Sequence, residues 1–372
     1  MNTNRALSIL ILAVLTTAFV GAVEVPLAPE KPQDTELQLV GDLISIRESI
    51  YQFPSLTLAY SDKSNVYLVV YAHALDDYNK DIFGQFVDAA TGKLIGQEFQ
   101  IASSDVWEDS PDVEYDPYKD VFLVVYDSET CTTEPDECVP DIKGRVVEEP
   151  DNNASSLAES PLAPNEFTVA VPQSTGFSIY EPKIAYNRDD HQYLVVYRSG
   201  FGGYADTTDL RGQMLRSHKE TPVRLGPEKG FHISGTAGYY YLPDVAWASK
   251  SSTFLVIAEM TDEKSPEFAT YQQLAADWLH DTYQGTSSQV ISGWGKICPR
   301  PPLTKFCTNP AVAYDPLNDS YTIVFNYDKK GENWDEMTIY GQRLSGEFKT
   351  NEEFFLGDPF PIETNLNKHD EY

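Results

Sequence analysis

Residues 111–125 read PDVEYDPYKDVFLVV, and nearly the same phrase returns as PKIAYNRDDHQYLVV (182–196) and PAVAYDPLNDSYTIV (310–324). Two diverged copies, SLTLAYSDKSNVYLVV (55–70) and PDVAWASKSSTFLVI (243–257), bring the total to five. In each copy an alternating segment is followed by a tight turn and then by a continuous run of β-branched and aromatic residues. This pattern predicts a half-buried strand paired with a strand that is buried on both faces.

Each copy continues into two further strand candidates, so that every unit offers four strands, named A to D in chain order. The C-strand phrases are DIFGQFV (81–87), DIKGRVV (141–147), DLRGQML (209–215), the degenerate ATYQQLA (269–275) and TIYGQRL (338–344). The D-strand segments begin at Glu98, Glu166, Phe231, Gln289 and Glu353. The glutamine shared by four C strands (Gln85, Gln213, Gln272 and Gln342, with Arg145 in the second copy) is expected to connect neighbouring units through backbone hydrogen bonds.

Tandem four-stranded units predict an all-β fold, a five-bladed β-propeller of four-stranded antiparallel blades, because radially stacked sheets bury faces that one blade cannot cover. The A strands are expected near residues 55–60, 110–115, 181–186, 242–247 and 309–314, within a propeller that occupies residues 41–362. A pair of β-sandwiches or a solenoid is the alternative, but neither would require so uniform an A–B phrase. Residues 42–46, DLISI, are candidates for a strand that closes the ring, either displacing or joining the segment at Glu353.

The repeated phrase P-x-V-A-Y…Y-L-V-V-Y…I-x-G-Q, which covers residues 55–357, resembles the tandem blades of exported β-propeller repeat proteins. The resemblance implies the fold and carries no catalytic motif. Tachylectin-type sugar-binding propellers and arabinanase-like glycoside hydrolases share the five-bladed architecture, but the sequence motifs of neither are present, so that any likeness of function is by analogy of fold.

The chain begins with the layout of a secretory signal peptide, residues 1–22: one Arg, an apolar run from Ala6 to Val20, and an ending in small residues. A membrane anchor is the alternative, but the run is short for a bilayer-spanning helix. We therefore expect an extracellular protein with no membrane span after cleavage. An N-terminal segment (23–40) and a solvated C-terminal tail (363–372) flank the propeller.

The charge is strongly acidic, with 57 Asp and Glu against 27 Lys and Arg and a formal net charge of −30. Such a polyanion excludes nucleic acid as a partner because the phosphates would be repelled. No motif requires a cofactor. Ca²⁺ is a candidate ligand of the acidic loops, although the contiguous D-x-D-x-D-G string is missing. Asp116 and Asp315, in the A–B turns, are expected to cap those turns. A monomer is expected.

Four cysteines form two closely spaced pairs, Cys131/Cys138 and Cys298/Cys307. In an exported chain this spacing predicts two short-loop disulfides, and zinc is the weaker alternative because no histidines accompany the pairs. Asn153 and Asn318 each begin an N-x-S sequon and are predicted glycosylation sites.

In an antiparallel propeller the B–C and D–A connections emerge at one end of the blades, which we call the loop end. These connections are long and unlike one another, whereas the A–B turns at the opposite end, the turn end, are short and uniform. Divergent loops on a repeated scaffold favour recognition at the loop end. Its aromatic rings, set among acidic side chains, suit a carbohydrate or a cell-surface partner: Tyr78, Trp107, Tyr204, Tyr239, Tyr240, Trp294 and Trp334. The alternative is that these rings pack beneath their own loops.

Paired carboxylates in the A strands are the best catalytic candidates. Asp112 and Asp244 occupy equivalent positions after the shared Pro, and Glu114 stands where the other four copies hold Ala. A carboxylate in such a slot would have a raised pKa and could act as a general acid; the alternative is an inter-blade salt bridge with Arg145 or Lys183. We favour a non-catalytic binding protein. A glycoside hydrolase or polysaccharide lyase is the second hypothesis, and a protein-interaction scaffold is the third.

Overall fold

The computed structural model describes residues 55–75, 79–105, 107–131, 138–150, 161–174, 176–201, 208–233, 239–261, 272–295, 297–298, 306–328, 338–350 and 353–362. The predicted signal peptide, the segment 23–40, DLISI and the C-terminal tail lie outside these ranges. Within them the chain folds into β-strands and turns, and no helix is present that could cross a bilayer.

The strands form five consecutive blades. Blade 1 contains β1 (Leu56–Ser61), β2 (Val66–Ala74), β3 (Lys80–Asp88) and β4 (Leu94–Ala102). Blade 2 contains β5 (Glu108–Asp116), β6 (Val121–Cys131), β7 (Cys138–Glu148) and β8 (Phe167–Ala170). Blade 3 contains β9 (Phe177–Asn187), β10 (Gln192–Phe201), β11 (Thr208–Arg216) and an outer strand in two pieces, β12 (Val223–Leu225) and β13 (Phe231–His232). Blade 4 contains β14 (Tyr239–Ala248), β15 (Thr253–Thr261), β16 (Gln272–His280) and β17 (Val290–Gly295). Blade 5 contains β18 (Phe306–Asp315), β19 (Ser320–Asp328), β20 (Thr338–Ser345) and β21 (Phe360–Pro361).

Each blade is an antiparallel meander, and the five-bladed propeller of four-stranded blades is confirmed. Among the described residues, one parallel pair, Gln272 with Phe306, joins blades 4 and 5 into one sheet. The inner strands β1, β5, β9, β14 and β18 follow one another in space, each contacting the next. They include all five predicted A strands.

The hydrophobic core lies between the blades. Four clusters of buried side chains fill the interfaces of blades 1 and 2, 2 and 3, 3 and 4, and 4 and 5. The B-strand runs supply both neighbours: in β6, Phe122 and Val124 face blade 1, whereas Leu123 and Val125 face blade 3. The repeated phrase therefore recurs because every blade must bury both faces of the same strand.

The C-strand glycine makes room for an aromatic ring of the D strand. A Cβ at Gly84 would lie 2.8 Å from Phe99 Cζ, and one at Gly144 would lie 2.6 Å from Phe167 Cζ. The same arrangement pairs Gly212 with Phe231 and Gly341 with Phe360. A ring lying over a strand glycine shields the exposed backbone, which explains why these two positions change together between copies.

The register corrects the prediction for the blade 4 C strand. Ile257 pairs with Ala276 and Val256 with Asp277, at the positions where other blades have Gly and Gln. The equivalent of GQFVD is therefore ADWLH (276–280), five residues after the assignment that placed Tyr271 at the glycine position and Gln272 among the shared glutamines. The predicted position of the C strand was wrong because the Gln pair at 272–273 resembles the Gly-Gln of the shared phrase.

The role of the shared glutamine also needs correction. Gln85 donates to the carbonyl oxygens of Phe86 and Ile95, both at 3.0 Å and both in its own blade. Gln213 and Gln342 make the same kind of bond within blades 3 and 5. The side chain therefore connects the C strand to the D strand of one blade rather than one blade to the next.

The outer strand of blade 5 is later than predicted. The segment at Glu353 forms only an isolated bridge, Leu344 with Phe355, and the D-strand ring is Phe360. Residues 354–362 thus occupy the edge of β20 through bonds such as Leu356 N to Arg343 O, 3.0 Å.

The acids of the A–B turns act as predicted. Asp116 Oδ1 accepts the N–H groups of Tyr118 and Lys119 at 2.8 and 3.1 Å, and Asp315 Oδ1 accepts that of Leu317 at 2.9 Å. Asp116 has a second role, because it also accepts the hydroxyls of Tyr186 and Tyr193 in blade 3. The turn end of the ring is therefore held together by buried polar bonds between blades.

Candidate functional site

A β-bulge interrupts the inner strand of blades 2 to 5 just before its proline, at the loop end. The bulge residue has a positive φ in each case: 50° at Ser110, 54° at Glu181, 48° at Leu242 and 51° at Asn309. Residues other than glycine, and residues before proline in particular, seldom adopt this conformation. Bulges re-aim the backbone next to functional sites. In blades 3, 4 and 5 the bulge turns the N–H of its residue toward the preceding blade, whereas the N–H of Ser110 bonds to Asp109 in its own blade.

Asp112 and Asp244, the two predicted catalytic acids, both bond to the backbone of the following blade. Asp112 Oδ2 accepts the N–H of Ile184 at 2.9 Å, and Asp244 Oδ2 accepts the N–H of Val312 at 2.8 Å. The other oxygen of Asp112 accepts the Thr57 hydroxyl of blade 1 at 2.9 Å. Asp112 therefore connects three blades. Burial raises the pKa of Asp244 to about 6, and nearby Lys183 opposes the rise.

Two further carboxylates, at the ends of the B strands, accept the N–H groups of the bulge residues. Asp127 Oδ2 accepts that of Glu181 at 3.0 Å, and Glu259 accepts that of Asn309. Asp127 and Glu259 are equivalent by register, because Phe122 and Phe254 pair with Tyr115 and Trp247. Burial raises the pKa of Asp127 to about 7, with Asp109 adding to the rise, and burial raises that of Glu259 to about 8.

Blade 3 carries cations at both of these positions. Lys183 is the equivalent of Asp112, and its Nζ lies 3.6 Å from Asp112 Oδ1. Arg198 is the equivalent of Asp127 and lies 5.3 Å from the ring centroids of both Tyr180 and Tyr241. Arg198 also faces Glu181, with 3.8 Å between Nε and Oε2. At the loop end, therefore, blade 2 presents a pair of acidic residues, blade 3 a pair of basic residues and blade 4 a second pair of acidic residues.

Glu114 lies two residues after Asp112 on β5. Its contacts differ from the inter-blade salt bridge that was the predicted alternative. Lys183 pairs with Asp112 instead, and within the described ranges Glu114 makes neither a hydrogen bond nor an ion pair. Burial raises its pKa to about 8, the charge of Asp112 adds to this, and Arg188 opposes it. The side chain is half-buried. A pKa raised in this way favours the protonated form of the carboxyl group near neutral pH.

The predicted ligand-binding rings divide into three groups. Trp107 and Tyr239 are half-buried at the loop end. Trp107 immediately precedes β5, and Tyr239 is the first residue of β14. Tyr240 is 1% exposed and belongs to the core between blades 3 and 4, as the packing alternative predicted. Tyr78, Tyr204, Trp334 and the side chain of Trp294 lie outside the described residues. The backbone of Trp294 pairs with Ala276, where other blades place the D-strand phenylalanine.

Sequence reasoning missed three further side chains of the loop end, namely Tyr180 and Tyr241 with Arg198 between them. Arg198 and Tyr241 are buried, and Tyr180 is half-exposed. The signal was present in the copies, because Asp127, Arg198 and Glu259 align. The B strands continue through these three positions to Cys131, Phe201 and Thr261, so the residues belong to regular strands and not to the variable loops.

The predicted Cys298–Cys307 disulfide is present, with the two Cα atoms 6.3 Å apart, and it joins the D–A connection of blade 4 to β18. Cys131 and Cys138 pair directly across β6 and β7, and their side chains lie outside the described residues. Asn318 is exposed on its turn and donates to Asp315, whereas Asn153 is outside the described ranges. No group of three or more ligating side chains in the described part of the chain is arranged to hold a metal ion.

Comparisons with known proteins give likeness of structure alone. No protein-family model matches the sequence, and no curated protein matches it either. A Hadza microbial sialidase is 11% identical with a TM-score of 0.48, over 78% of this chain and 55% of its own. An N-acetylgalactosamine deacetylase from F. plautii is 13% identical, TM-score 0.44, over 74% and 78%. The α-L-arabinofuranosidase of Fusarium graminearum is 11% identical, TM-score 0.45, over 78% and 76%. At this level of similarity we take no function from them.

Proposed function

We propose that this protein is an exported β-propeller that binds a carbohydrate at the loop end of its blades without cleaving it. The observation that carries the proposal is the loop-end surface of Trp107, Tyr180 and Tyr239 beside the carboxylates of Asp109 and Glu181. Half-exposed rings can stack on the apolar faces of sugars, and carboxylates accept hydrogen bonds from their hydroxyls. The bulges and the inter-blade bonds hold these groups on rigid strands, so that little ordering is required on binding.

The bonds of Asp112 and Asp244 favour binding over hydrolysis. A glycosidase needs one carboxyl group that protonates the leaving oxygen and a second that is free to act as nucleophile or base. Both oxygens of Asp112 accept hydrogen bonds from protein groups, and Asp244 accepts a backbone N–H of blade 5. Two of the three candidate catalytic acids therefore have a structural function.

Binding is tested with a glycan array and with polysaccharide pull-down, comparing the wild type with Trp107→Ala. We expect Trp107→Ala to weaken the best ligand about tenfold or more, as for a stacked aromatic anchor. Tyr118→Ala is the matched control, because Tyr118 is 57% exposed at the turn end. Equal losses in both variants, or no glycan bound at all, would overturn the proposal.

A hydrolase is the second candidate, and one observation favours it: burial raises the pKa of Glu114 to about 8, and its side chain makes no hydrogen bond or ion pair in the described ranges. Incubating each bound glycan with the protein and analysing the products by mass spectrometry separates the two functions. Under our proposal no product forms. Product release that Glu114→Gln abolishes, with melting temperature and glycan affinity unchanged, would establish the hydrolase instead.

A further inference from the structure

Two segments from adjacent blades form a clamp directly beneath Trp107. Lys80 and Asp81 begin the C strand of blade 1, and Trp107, Glu108 and Asp109 enter the A strand of blade 2. Lys80 pairs with Trp107 in a parallel bridge, its Nζ lies 5.4 Å from the centroid of the Trp107 ring, and it forms an ion pair with Asp109. The Trp107 carbonyl also accepts the N–H of Glu129 at 3.0 Å. The position of the ring is therefore set by the contact between the two blades.

The centre of the clamp is a pair of buried carboxyl groups, Asp81 and Glu108, each 2% exposed. One oxygen of each has a donor: Gln100 Nε2 lies 2.7 Å from Asp81 Oδ2, and the Ser104 hydroxyl donates to Glu108 Oε1. The remaining oxygens, Asp81 Oδ1 and Glu108 Oε2, have no donor among the described residues. The two side chains can be hydrogen-bond partners only while one of them is protonated, because two ionised carboxylates have no donor.

This pair is specific to one interface. The C strands of blades 2 and 3 have aspartates at the position of Asp81, namely Asp141 and Asp209. The inner strands that follow them present Ile179 and Tyr240 where blade 2 presents Glu108. An acid opposite the repeated aspartate is thus found only between blades 1 and 2 in the part of the chain that these registers cover.

We propose that the proton shared by Asp81 and Glu108 is a pH switch that holds Trp107 in place and couples glycan binding to protonation. This inference rests on the proposed function for its ligand, but the switch itself is independent of it. With the proton present, Glu108 donates to Asp81 and the clamp is closed. When the proton is lost, two buried negative charges face each other without a donor, and the segments must separate.

The surroundings place the transition near neutrality. Burial raises the pKa of Glu108 to about 7; the Ser104 hydroxyl opposes this, and the charges of Asp81 and Glu166 add to it. Burial likewise raises the pKa of Asp81, and Gln100 and His73 oppose the rise. The other charged or titratable groups at the clamp are Lys80 and Asp109, paired with each other, and Tyr126, whose hydroxyl donates to Glu166. None of these supplies a donor to the two free oxygens.

Asp81→Asn is the decisive variant, because an amide N–H can replace the shared proton permanently. For the wild type we expect hydrogen exchange at the Glu129 amide, corrected for its intrinsic pH dependence, to accelerate between pH 6 and 8.5. Asp81→Asn and Glu108→Gln should each remove this acceleration, and Asp209→Asn, at the equivalent position of blade 3, should retain it. A wild-type profile that is flat, or that Asp81→Asn leaves unchanged, would overturn the switch.

Glycan affinity provides the second measurement, using the best ligand from the array. Loss of one proton predicts that wild-type affinity falls by up to about tenfold per pH unit above pH 7, and that Asp81→Asn binds equally at pH 6 and 8.5. If no glycan binds but the exchange result is as expected, the proposed function fails and the switch stands. If glycans bind with the same pH dependence in both proteins, the switch fails and the function stands.

Discussion

Blade 3 differs from the blades on either side of it in how it bonds to the next blade. In blades 2 and 4, the B-strand acids Asp127 and Glu259 accept the N–H of the bulge residue that follows. The equivalent residue of blade 3 is Arg198, which can only donate. There the bulge residue Glu181 itself reaches forward, and its Oε2 accepts the N–H of Leu242 at 3.1 Å. The difference teaches that the fold provides a carboxylate acceptor for this N–H, and that the acceptor comes from a different strand position in different blades.

Because blade 3 carries cations where blades 2 and 4 carry acids, the charges at these positions alternate from blade to blade. Blades 1 and 5 are uncharged at the two positions, with Thr57 and Ala72 in blade 1 and Ala311 and Asn326 in blade 5. The charged pairs therefore occur only in the three central blades, where acid faces base across both interfaces of blade 3. The following predictions test whether that order stabilises the ring.

The largest effect that we expect is a loss of stability as the pH rises. The folded-state pKa values of Asp127, Asp244 and Glu259 are raised to about 7, 6 and 8, above the value of about 4 in an unfolded chain. Raised acids favour folding below the unfolded pKa, and this contribution disappears as the pH rises through the folded pKa. Since one pKa unit is worth about 1.4 kcal/mol, the free energy of unfolding should fall by several kcal/mol between pH 4.5 and 8.5.

Denaturant unfolding at a series of pH values measures this slope. The triple variant Asp127→Asn, Asp244→Asn and Glu259→Gln retains an acceptor at each site and should show a flatter profile. Arg198→Gln leaves all three carboxyl groups in place, so it should leave the slope unchanged. A wild-type protein that is most stable at pH 8 would show that the three acids are not the dominant titrating groups.

Reversing the charge of Lys183 should have the next largest effect. Lys183→Glu would place a third carboxylate between Asp112 and Asp244, at a site where the lysine side chain is only 26% exposed. Breaking a largely buried pair leaves uncompensated charge, and we expect a loss of about 3 kcal/mol at pH 7. Lys93→Glu, at an exposed turn, is the control and should cost less than about 0.5 kcal/mol. Chemical denaturation of both variants decides whether the basic pair is required.

Asp112 and Asp244 should differ in their contributions, although they are equivalent by register. Asp112 bonds to Thr57, Ile184 and Lys183 in two neighbouring blades. Asp244 bonds to only one neighbouring blade in the described residues, through the N–H of Val312, and also accepts the N–H of Val245 in its own strand. A lost acceptor for a buried donor costs about 1–3 kcal/mol, so Asp112→Ala should destabilise by about 2–3 kcal/mol and Asp244→Ala by about 1 kcal/mol. Equal melting temperatures for the two variants would mean that the connection to blade 1 contributes nothing.

The repeated phrases were sufficient to predict the five blades, the A and B strands and the turn caps, and the cysteine spacing predicted the Cys298–Cys307 disulfide. Both phrases are local: alternation, a Pro-containing turn and a buried run each depend on neighbouring residues. The C strand of blade 4 and the D strand of blade 5 were misplaced because their identity depends on a pair of positions, Gly with Phe, in different strands. In blade 4 Ala276 occupies the position of the C-strand glycine, so the Gly-Gln phrase that marks the C strand was lost.

The candidate site was predictable only as a set of unusual residues. Alignment of the copies singled out Asp112, Asp244 and Glu114. In the structure the charge of Asp112 raises the pKa values of both Asp244 and Glu114. That Asp112 and Asp244 bond to the next blade could not be predicted, because the offset between blades is set by the packing of the ring. The Asp81–Glu108 pair was hidden for the same reason, since its two members belong to different repeats.

The smallest effect separates the two functions of Glu181. Glu181→Gln retains an oxygen that can accept the Leu242 N–H but removes the charge that faces Arg198 at 3.8 Å. Because the carboxylate is part-exposed and the pair is long, we expect a loss of about 0.5 kcal/mol or less. Glu181→Ala removes the acceptor as well and should cost about 1–2 kcal/mol. If Glu181→Gln is as damaging as Glu181→Ala in denaturant unfolding, the ion pair with Arg198, and not the inter-blade hydrogen bond, is what blade 3 requires.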